Sequence, residues 1–350
     1  MSAAFSLSRK EGWRRFTDTP ARLRPERLSR AAIGALSADA LADYQEVRAD
    51  WHANFGTIAT PQLMDVREEL DLIVASNRQD GDRVRGSAVI DGQPGLGKTT
   101  IANLFARDYD RAQRRRFGEL TETGDERIPV FRVGLTSNTT LRTLNRMICE
   151  FYGAVGPSRP SAAELGRIAL DRVLSCQTRV GIVDDVHFID QASRDGIAVN
   201  NHLKWLANEL PITFVFAGVG LEERRFFEEG LAGPSVALAQ TARRWTRLSV
   251  EPFKPQDGAW GQLAKAIEAH LVLAEARPGD LHKLAGYLYE RTGGHIGSLI
   301  TLITRACYRS IARGQERITR DLLDSIRIDE AAEKARARLS GAAKAKEVTK

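Results

Sequence analysis

Cysteine is scarce in these 350 residues: there are three, Cys149, Cys176 and Cys307, far apart and without a CxxC pair. That excludes a disulfide framework and a thiolate zinc site, and it reads as three small buried thiols in a reducing compartment. No stretch approaches the roughly 20 uninterrupted apolar residues of a spanning helix. The start of the chain turns basic with no apolar run before Arg9, so it lacks the pattern of a secretory leader. A cytoplasmic protein with no membrane partner is expected. Strong charge of one sign is also missing: 51 Lys and Arg stand against 45 acids, a net +6 that permits a polyanionic partner without requiring one. What is present, 43% hydrophobic and 27% charged residues, is ordinary for a globular chain and excludes wholesale disorder. The length suits one large or two modest domains.

The charge is unevenly placed. Residues 1–30 carry eight Lys or Arg against three acids, and residues 331–350 carry six against two, so the remaining body is slightly acidic. Apolar residues in the first 30 follow no sustained period, which predicts a mobile basic arm over residues 1–36. Helical patterns follow over 37–80, with Ser37 as a cap and Pro61 at a first helical position. Between 81 and 254, short apolar runs alternate with helices: Ser87–Ile90, Val130–Val133, Val180–Val183, Ile212–Ala217 and Leu248–Val250. The intervening helices are expected at Lys98–Arg107, Thr140–Tyr152, Ala162–Cys176 and about Gln191–Leu210. Such alternation predicts an α/β fold, a parallel sheet sandwiched by helices. Residues 255–328 read as a small all-helical domain, and 329–350 as a basic tail.

The chemistry concentrates in Gly92-Gln93-Pro94-Gly95-Leu96-Gly97-Lys98-Thr99-Thr100, between a buried strand and a helix. Glycines there let backbone N–H groups curl round a phosphate, and the helix N-terminus adds a favourable dipole. Lys98 is placed to reach the β- and γ-phosphates of ATP, and the Thr99 hydroxyl to ligate Mg²⁺. Such a loop needs an acid at the tip of another buried strand, and Val180-Gly181-Ile182-Val183-Asp184-Asp185 supplies it. Asp184 is the expected magnesium-side carboxylate; Asp185 is placed to polarise the attacking water. The fourth run ends Ala217-Gly218-Val219, with no side-chain donor where a water-orienting group is often found. Gln240-Thr241-Ala242-Arg243-Arg244-Trp245 precedes the fifth strand; its arginines are either a surface pair or a fork reaching a neighbouring subunit's nucleotide. Thr292-Gly293-Gly294-His295-Ile296-Gly297 joins two helices of the helical domain.

Taken together, the loop, the Asp-Asp strand end, the Arg-Arg-Trp segment and the helical lid resemble a P-loop AAA+ ATPase. More narrowly, residues 40–327 resemble the TniB family of transposition ATPases, related to TnsC, MuB and IstB proteins. The resemblance rests on Trp51-His52, Thr60-Pro61, Val183 to Phe188, Leu203 to Ile212, Val215 to Gly218, Gln240 to Trp245 and Thr292 to Gly297. It implies Lys98 and Thr99 as nucleotide and magnesium contacts, Asp184 as the Walker B carboxylate, and Arg244 as an arginine acting in trans. It also implies a homo-oligomer assembled on double-stranded DNA that engages a transposase and a TniQ-like protein. Two positions depart from the family: its usual glutamate is Asp185, and the threonine after the strand-four glycine is Val219. Both predict slow hydrolysis, with ATP acting mainly as a switch. Candidate DNA contacts are Thr136 to Thr139, Arg111 and Arg114 to Arg116, with a solvated helix end as the favoured reading of Arg114 to Arg116. A P-loop signalling ATPase acting on a protein partner, or a helicase-loader-like ATPase, are the alternatives.

Overall fold

Five apolar-rich runs become parallel strands, and helices return the chain across the sheet between the first four of them. The structure, a computed structural model, describes residues 5–79, 85–154, 159–190, 193–223, 245–256 and 258–337. The strands are β1 (Ser87–Gly92), β2 (Val130–Gly134), β3 (Val180–Asp184), β4 (Thr213–Gly218) and β5 (Trp245–Val250). In chain order the helices begin with α1 (Lys10–Asp18), α2 (Arg30–Gly34), α3 (Ala38–Ala53), α4 (Pro61–Ser76), α5 (Lys98–Phe117), α6 (Leu141–Phe151), α7 (Ala162–Ser175) and α8 (Arg194–Glu209). They continue with α9 (Gly258–Ala269), α10 (Asp280–Lys283), α11 (Ala285–Thr292), α12 (Ile296–Ala312) and α13 (Arg320–Asp324). None of these helices is long and apolar enough to cross a membrane. The chain divides into two compact units, residues 1–19 with 62–250, and residues 20–61 with 251–350.

The first unit is built on one sheet in the order β2-β3-β4-β1-β5, every neighbouring pair parallel. Strands β3 and β4 are buried at every position, as a sheet covered on both faces requires. Helix α5 packs over β1, β3 and β4, and α6 over β2. The helix starts are satisfied locally: Thr140 caps α6, and Ser161 with Glu164 forms a reciprocal capping box on α7. Helix α5 runs to Phe117, well past the expected end at Arg107, because one face of its second half, carrying Asp110 and Arg114, is buried against α1.

That packing corrects the reading of residues 1–36 as a mobile arm. Trp13 is 2% exposed and donates from Nε1 to Asp110 at 3.1 Å. Arg114 is buried rather than solvated, reaching Asp110 at 2.5 Å, Asp18 at 2.7 Å and the Thr17 hydroxyl at 2.9 Å. Arg111 donates to the Thr17 and Thr19 carbonyls. Lys10 and Arg14 pair with Glu126 and Glu119. Most of the basic residues of α1 and two of the arginines proposed as DNA contacts therefore hold this unit together.

The second unit is helical. Leu263, Ile267, Leu288, Leu302, Ile303, Cys307 and Leu323 form its core around Trp260, and α3 packs on α12. The expected helical segment 37–80 is thus divided, α3 lying in this unit and α4 in the other. Within the second unit the helical run from Asp280 to Thr292 is interrupted at Leu284, giving α10 and α11. Residues 20–36 are strapped down through neutral acceptors: Arg24 donates to the Leu271 carbonyl, Arg27 to Ala276 and Arg30 to Gly314. Arg48 is fully buried and meets Glu316 through two contacts of 2.7 and 3.0 Å, its guanidinium lying 4.4 Å from the Tyr44 ring centroid. His52 accepts the Val272 N–H at Nε2, 3.0 Å away, so it is neutral. Burial and then the Arg48 charge push its pKa down to about 4.

Removing one member of a buried pair strands the other. Arg48→Ala is expected to cost about 3–5 kcal/mol in a denaturant melt, against less than about 1 for Arg14→Ala at the surface. His52 makes a second prediction. The unfolded chain protonates this side chain near its ordinary value of 6.5 and the folded chain only near 4. Stability is therefore complete above pH 6.5 and falls between 6.5 and 4, by up to about 3 kcal/mol. His52→Gln should flatten that slope when urea midpoints are compared across this window.

Candidate nucleotide site

Strand β1 delivers the chain to the phosphate loop with Gly92 pressed against β5: a Cβ on it would lie 2.2 Å from the Val250 carbonyl oxygen. Gly95 and Gly97 turn the loop with φ of 76° and 88°, conformations that only glycine adopts freely. Gly97 then occupies the N-cap of α5, leaving the first backbone N–H groups of that helix for an anion. Leu96 is buried and anchors the loop to the sheet. Gln93, Pro94 and Thr100 lie in the same loop and first helical turn. Lys98 folds back so that Nζ donates to the Gln93 carbonyl at 2.6 Å. Burial lowers its pKa, and Asp91, Asp184 and Asp185 oppose that shift.

Asp184 ends β3 with 4% exposure. Its Oδ1 accepts from the Thr99 hydroxyl at 3.2 Å and from the Asp185 N–H at 3.0 Å. Its Oδ2 accepts from Arg132 at 2.9 Å, and the Arg132 Nε donates to Asn103 at 3.0 Å. Asp185 follows in the left-handed region at φ 59°, a conformation that Asp tolerates better than most residues. Its carboxylate is half exposed and lies 3.9 Å from His187. Its pKa is raised, first by burial and then by the neighbouring Asp184 charge. Beside it, β4 ends at Gly218, and Val219 brings no donor to the strand tip.

Lys98, Thr99, Asp184 and Asp185, singled out in the sequence, thus meet at one end of the sheet. Four further residues were not anticipated. Arg132 and Asn103 orient Asp184. Asp91, 2% exposed, accepts the Leu221 N–H at 2.9 Å and the Glu222 N–H at 3.3 Å, and pairs with Arg247 at 3.1 Å. Two signals were available: one charge inside the apolar run Val130-Phe131-Arg132-Val133, and an acid at the last buried position of β1. Arg244, with Gln240 and Arg243, lies outside the described residues. In the second unit, Gly294 sits at φ 77° against the Phe253 backbone, whose N–H donates to the Gly294 carbonyl at 3.0 Å. Thr136 to Thr139 form a mostly exposed turn closed by the Thr139 hydroxyl.

Among the described residues, no group of three or more His, Cys, Asp or Glu converges as a metal cage. A hydroxyl and a carboxylate oxygen 3.2 Å apart are instead the hard donors that suit Mg²⁺ carried in on phosphates. Thr99 and Asp184 fit that ion.

These features define a P-loop AAA+ fold, a parallel sheet flanked by helices with a helical C-terminal region. Residues 81–226 match the family model described as an AAA domain. The structure is similar to the ORC1 protein of Aeropyrum pernix, solved in complex with DNA, with 18% identity, a TM-score of 0.56, and coverage of 83% of this chain and 69% of that one. It is also similar to the ORC2 protein of the same organism, solved in ADPNP–ADP complexes, with 16% identity, a TM-score of 0.57, and coverage of 80% and 70%. Drosophila ORC bound to DNA aligns at 13% identity with a TM-score of 0.52, covering 90% of this chain and 72% of that one. At these identities the likeness establishes the fold.

Lys98→Ala should change the nucleotide-free protein's denaturation midpoint less than it changes the gain from ATP, because the Lys98 hydrogen bond stays within its own loop. ATP at about a hundred times its Kd should stabilise the wild type by about 2.7 kcal/mol. The variant is expected to lose most of that gain, measured by thermal shift against ATP concentration.

Proposed function

We propose that this chain is an ATP-dependent switch that assembles as a homo-oligomer on double-stranded DNA and engages a transposase together with a TniQ-like protein. One observation carries the nucleotide part: Lys98, Thr99, Asp184 and Asp185 converge around a glycine loop opening a helix. Lys98 would exchange its Gln93 acceptor for the β- and γ-phosphate oxygens of ATP. Thr99 and Asp184 would hold Mg²⁺, which when bound neutralises charge on those oxygens. Asp185 would take a proton from water as that water's oxygen attacks the γ-phosphorus, releasing ADP. Arg244 of a neighbouring copy would meet the transferring phosphoryl group.

Slow turnover is part of this reading. Asp185 is one methylene shorter than the glutamate of the family that the sequence resembles, and Val219 leaves the β4 tip without a donor for water. Binding depends on neither, so ATP occupancy rather than flux sets the state. The DNA and transposition parts rest on the motif set from Trp51 to Gly297. The fold's likeness to ORC proteins solved with DNA supports a DNA partner.

The test is ATP turnover with and without duplex DNA. We expect turnover below about 1 s⁻¹, the lower edge of typical enzymes, even with DNA. Asp185→Asn should reduce that by about a hundredfold while leaving the ATP dissociation constant within about twofold. Turnover of tens per second, or loss of ATP binding in the variant, contradicts the reading.

A further inference from the structure

Among the described residues, the buried arginines are each paired with a carboxylate: Arg48 with Glu316, Arg114 with Asp110, Arg127 with Glu122 and Arg291 with Glu333. One set on the second unit is held differently. Arg305 and Arg309 on α12 and Arg313 at its C-cap follow one another at intervals of four, so they share one face and drift only slowly round it. Arg305 donates to the Arg327 carbonyl at 2.5 Å. Arg309 donates to the Ser325 carbonyl and, at 2.9 Å, to the Ser325 hydroxyl. Arg30 prolongs the row, donating to the Gly314 carbonyl at 2.7 Å. A neutral acceptor fixes a guanidinium without cancelling its charge. Among the described residues, none of Arg305, Arg309, Arg313 and Arg327 forms an ion pair.

The row borders a cavity of about 890 Å³ between α3 and α12, in which small side chains such as Ala49, Ala53 and Ala312 leave room for approach. Its only carboxylate is Asp50, which is exposed and lies 3.9 Å from Arg22. Tyr308, 68% exposed, stands between Arg305 and Arg309 on the same helix. At a rise of 1.5 Å per residue, Arg305, Arg309 and Arg313 span about 12 Å. Duplex DNA presents about seven phosphate charges over that length. Evenly spaced, preorganised and un-neutralised cations beside an open channel suit a repeating polyanion better than a single ligand.

We infer that this face of α12, with Arg305, Arg309, Arg313 and Arg327, is a contact surface for the phosphate backbone of duplex DNA. The inference rests on the DNA partner proposed above, and it assigns a contact to the helical unit rather than to the P-loop unit. Arg305 and Arg309 are fixed by carbonyls of the helical unit itself, not by residues of the phosphate loop. The row's contribution therefore does not depend on ATP, and it reads charge, not base sequence.

The test is fluorescence anisotropy of the full-length protein with a labelled 30-bp duplex, across 50–300 mM KCl, with and without ATP. Replacing Arg305, Arg309 and Arg313 together by Gln should lower the slope of log K against log [KCl] by about 2 to 3, and weaken binding at least tenfold near 100 mM salt. Asp50→Lys adds a cation and should tighten binding and raise the slope by about one, a gain that misfolding does not produce. Both changes should appear with and without ATP. If the wild type binds duplex but neither variant shifts the slope, the surface assignment falls and the DNA partner stands. If both variants shift it as expected but ATP changes nothing, the surface stands and the switch falls. If the wild type does not bind duplex at 50 mM salt in either condition, both fall. Displacement of the row's effect by poly-glutamate at lower charge concentration than by unlabelled duplex would assign it to an acidic protein partner and overturn the inference.

Discussion

The Asp184 carboxylate is the interaction on which the site depends. It is buried at the end of β3, where an unpaired charge would cost several kcal/mol, and it is accommodated by three donors from three places: Thr99 at the start of α5, Arg132 on β2 and the Asp185 backbone. This explains the strand order in chemical terms. With β3 beside β2, Arg132 can reach along the neighbouring strand to the acid. With only β4 between β3 and β1, the acid faces the loop that β1 delivers. The sheet is the device that brings a hydroxyl and a carboxylate from distant parts of the sequence to hydrogen-bond distance.

Asp91 plays the matching part on the other side of β1. By binding the Leu221 and Glu222 N–H groups and Arg247, it ties the turn after β4 to the base of the phosphate loop and to β5. That turn is held through its backbone N–H groups on the Asp91 carboxylate, and Glu222 turns outward to pair with Arg247. Asp185 adds a backbone reason for a short acid: at φ 59° a residue whose side chain is short and polar is tolerated where a longer one is less at ease. Firm anchoring combined with sparse water-handling groups is the arrangement of a site built to hold a nucleotide.

Much of this was legible in the sequence for identifiable reasons. Glycine, lysine and threonine in the phosphate loop are each required by their own chemistry, so Gly92 to Thr100 could be read in isolation. Strands β1 to β4 arise from near-continuous apolar runs and lie close to the expected positions. Arg132 was not legible, because a lone charge in a strand does not name the neighbour it faces until the pairing of β2 with β3 is known. The basic start of the chain was misread for the same kind of reason. Trp13 and Arg114 each lie 97 residues from a partner, and a charged segment looks solvated until the acids that neutralise it, Glu126 and Glu119, are folded against it. Position in space, not composition, separates structural arginines from the un-neutralised row on α12.

The central claim is that ATP occupancy, rather than turnover, controls assembly on DNA. The most direct measurement is electron microscopy of the full chain with duplex DNA in ATP, a non-hydrolysable analogue, or ADP. The account predicts matching ordered oligomers along DNA with ATP and the analogue, and their loss with ADP. Assemblies of equal extent in ADP, or none with the analogue, would contradict it.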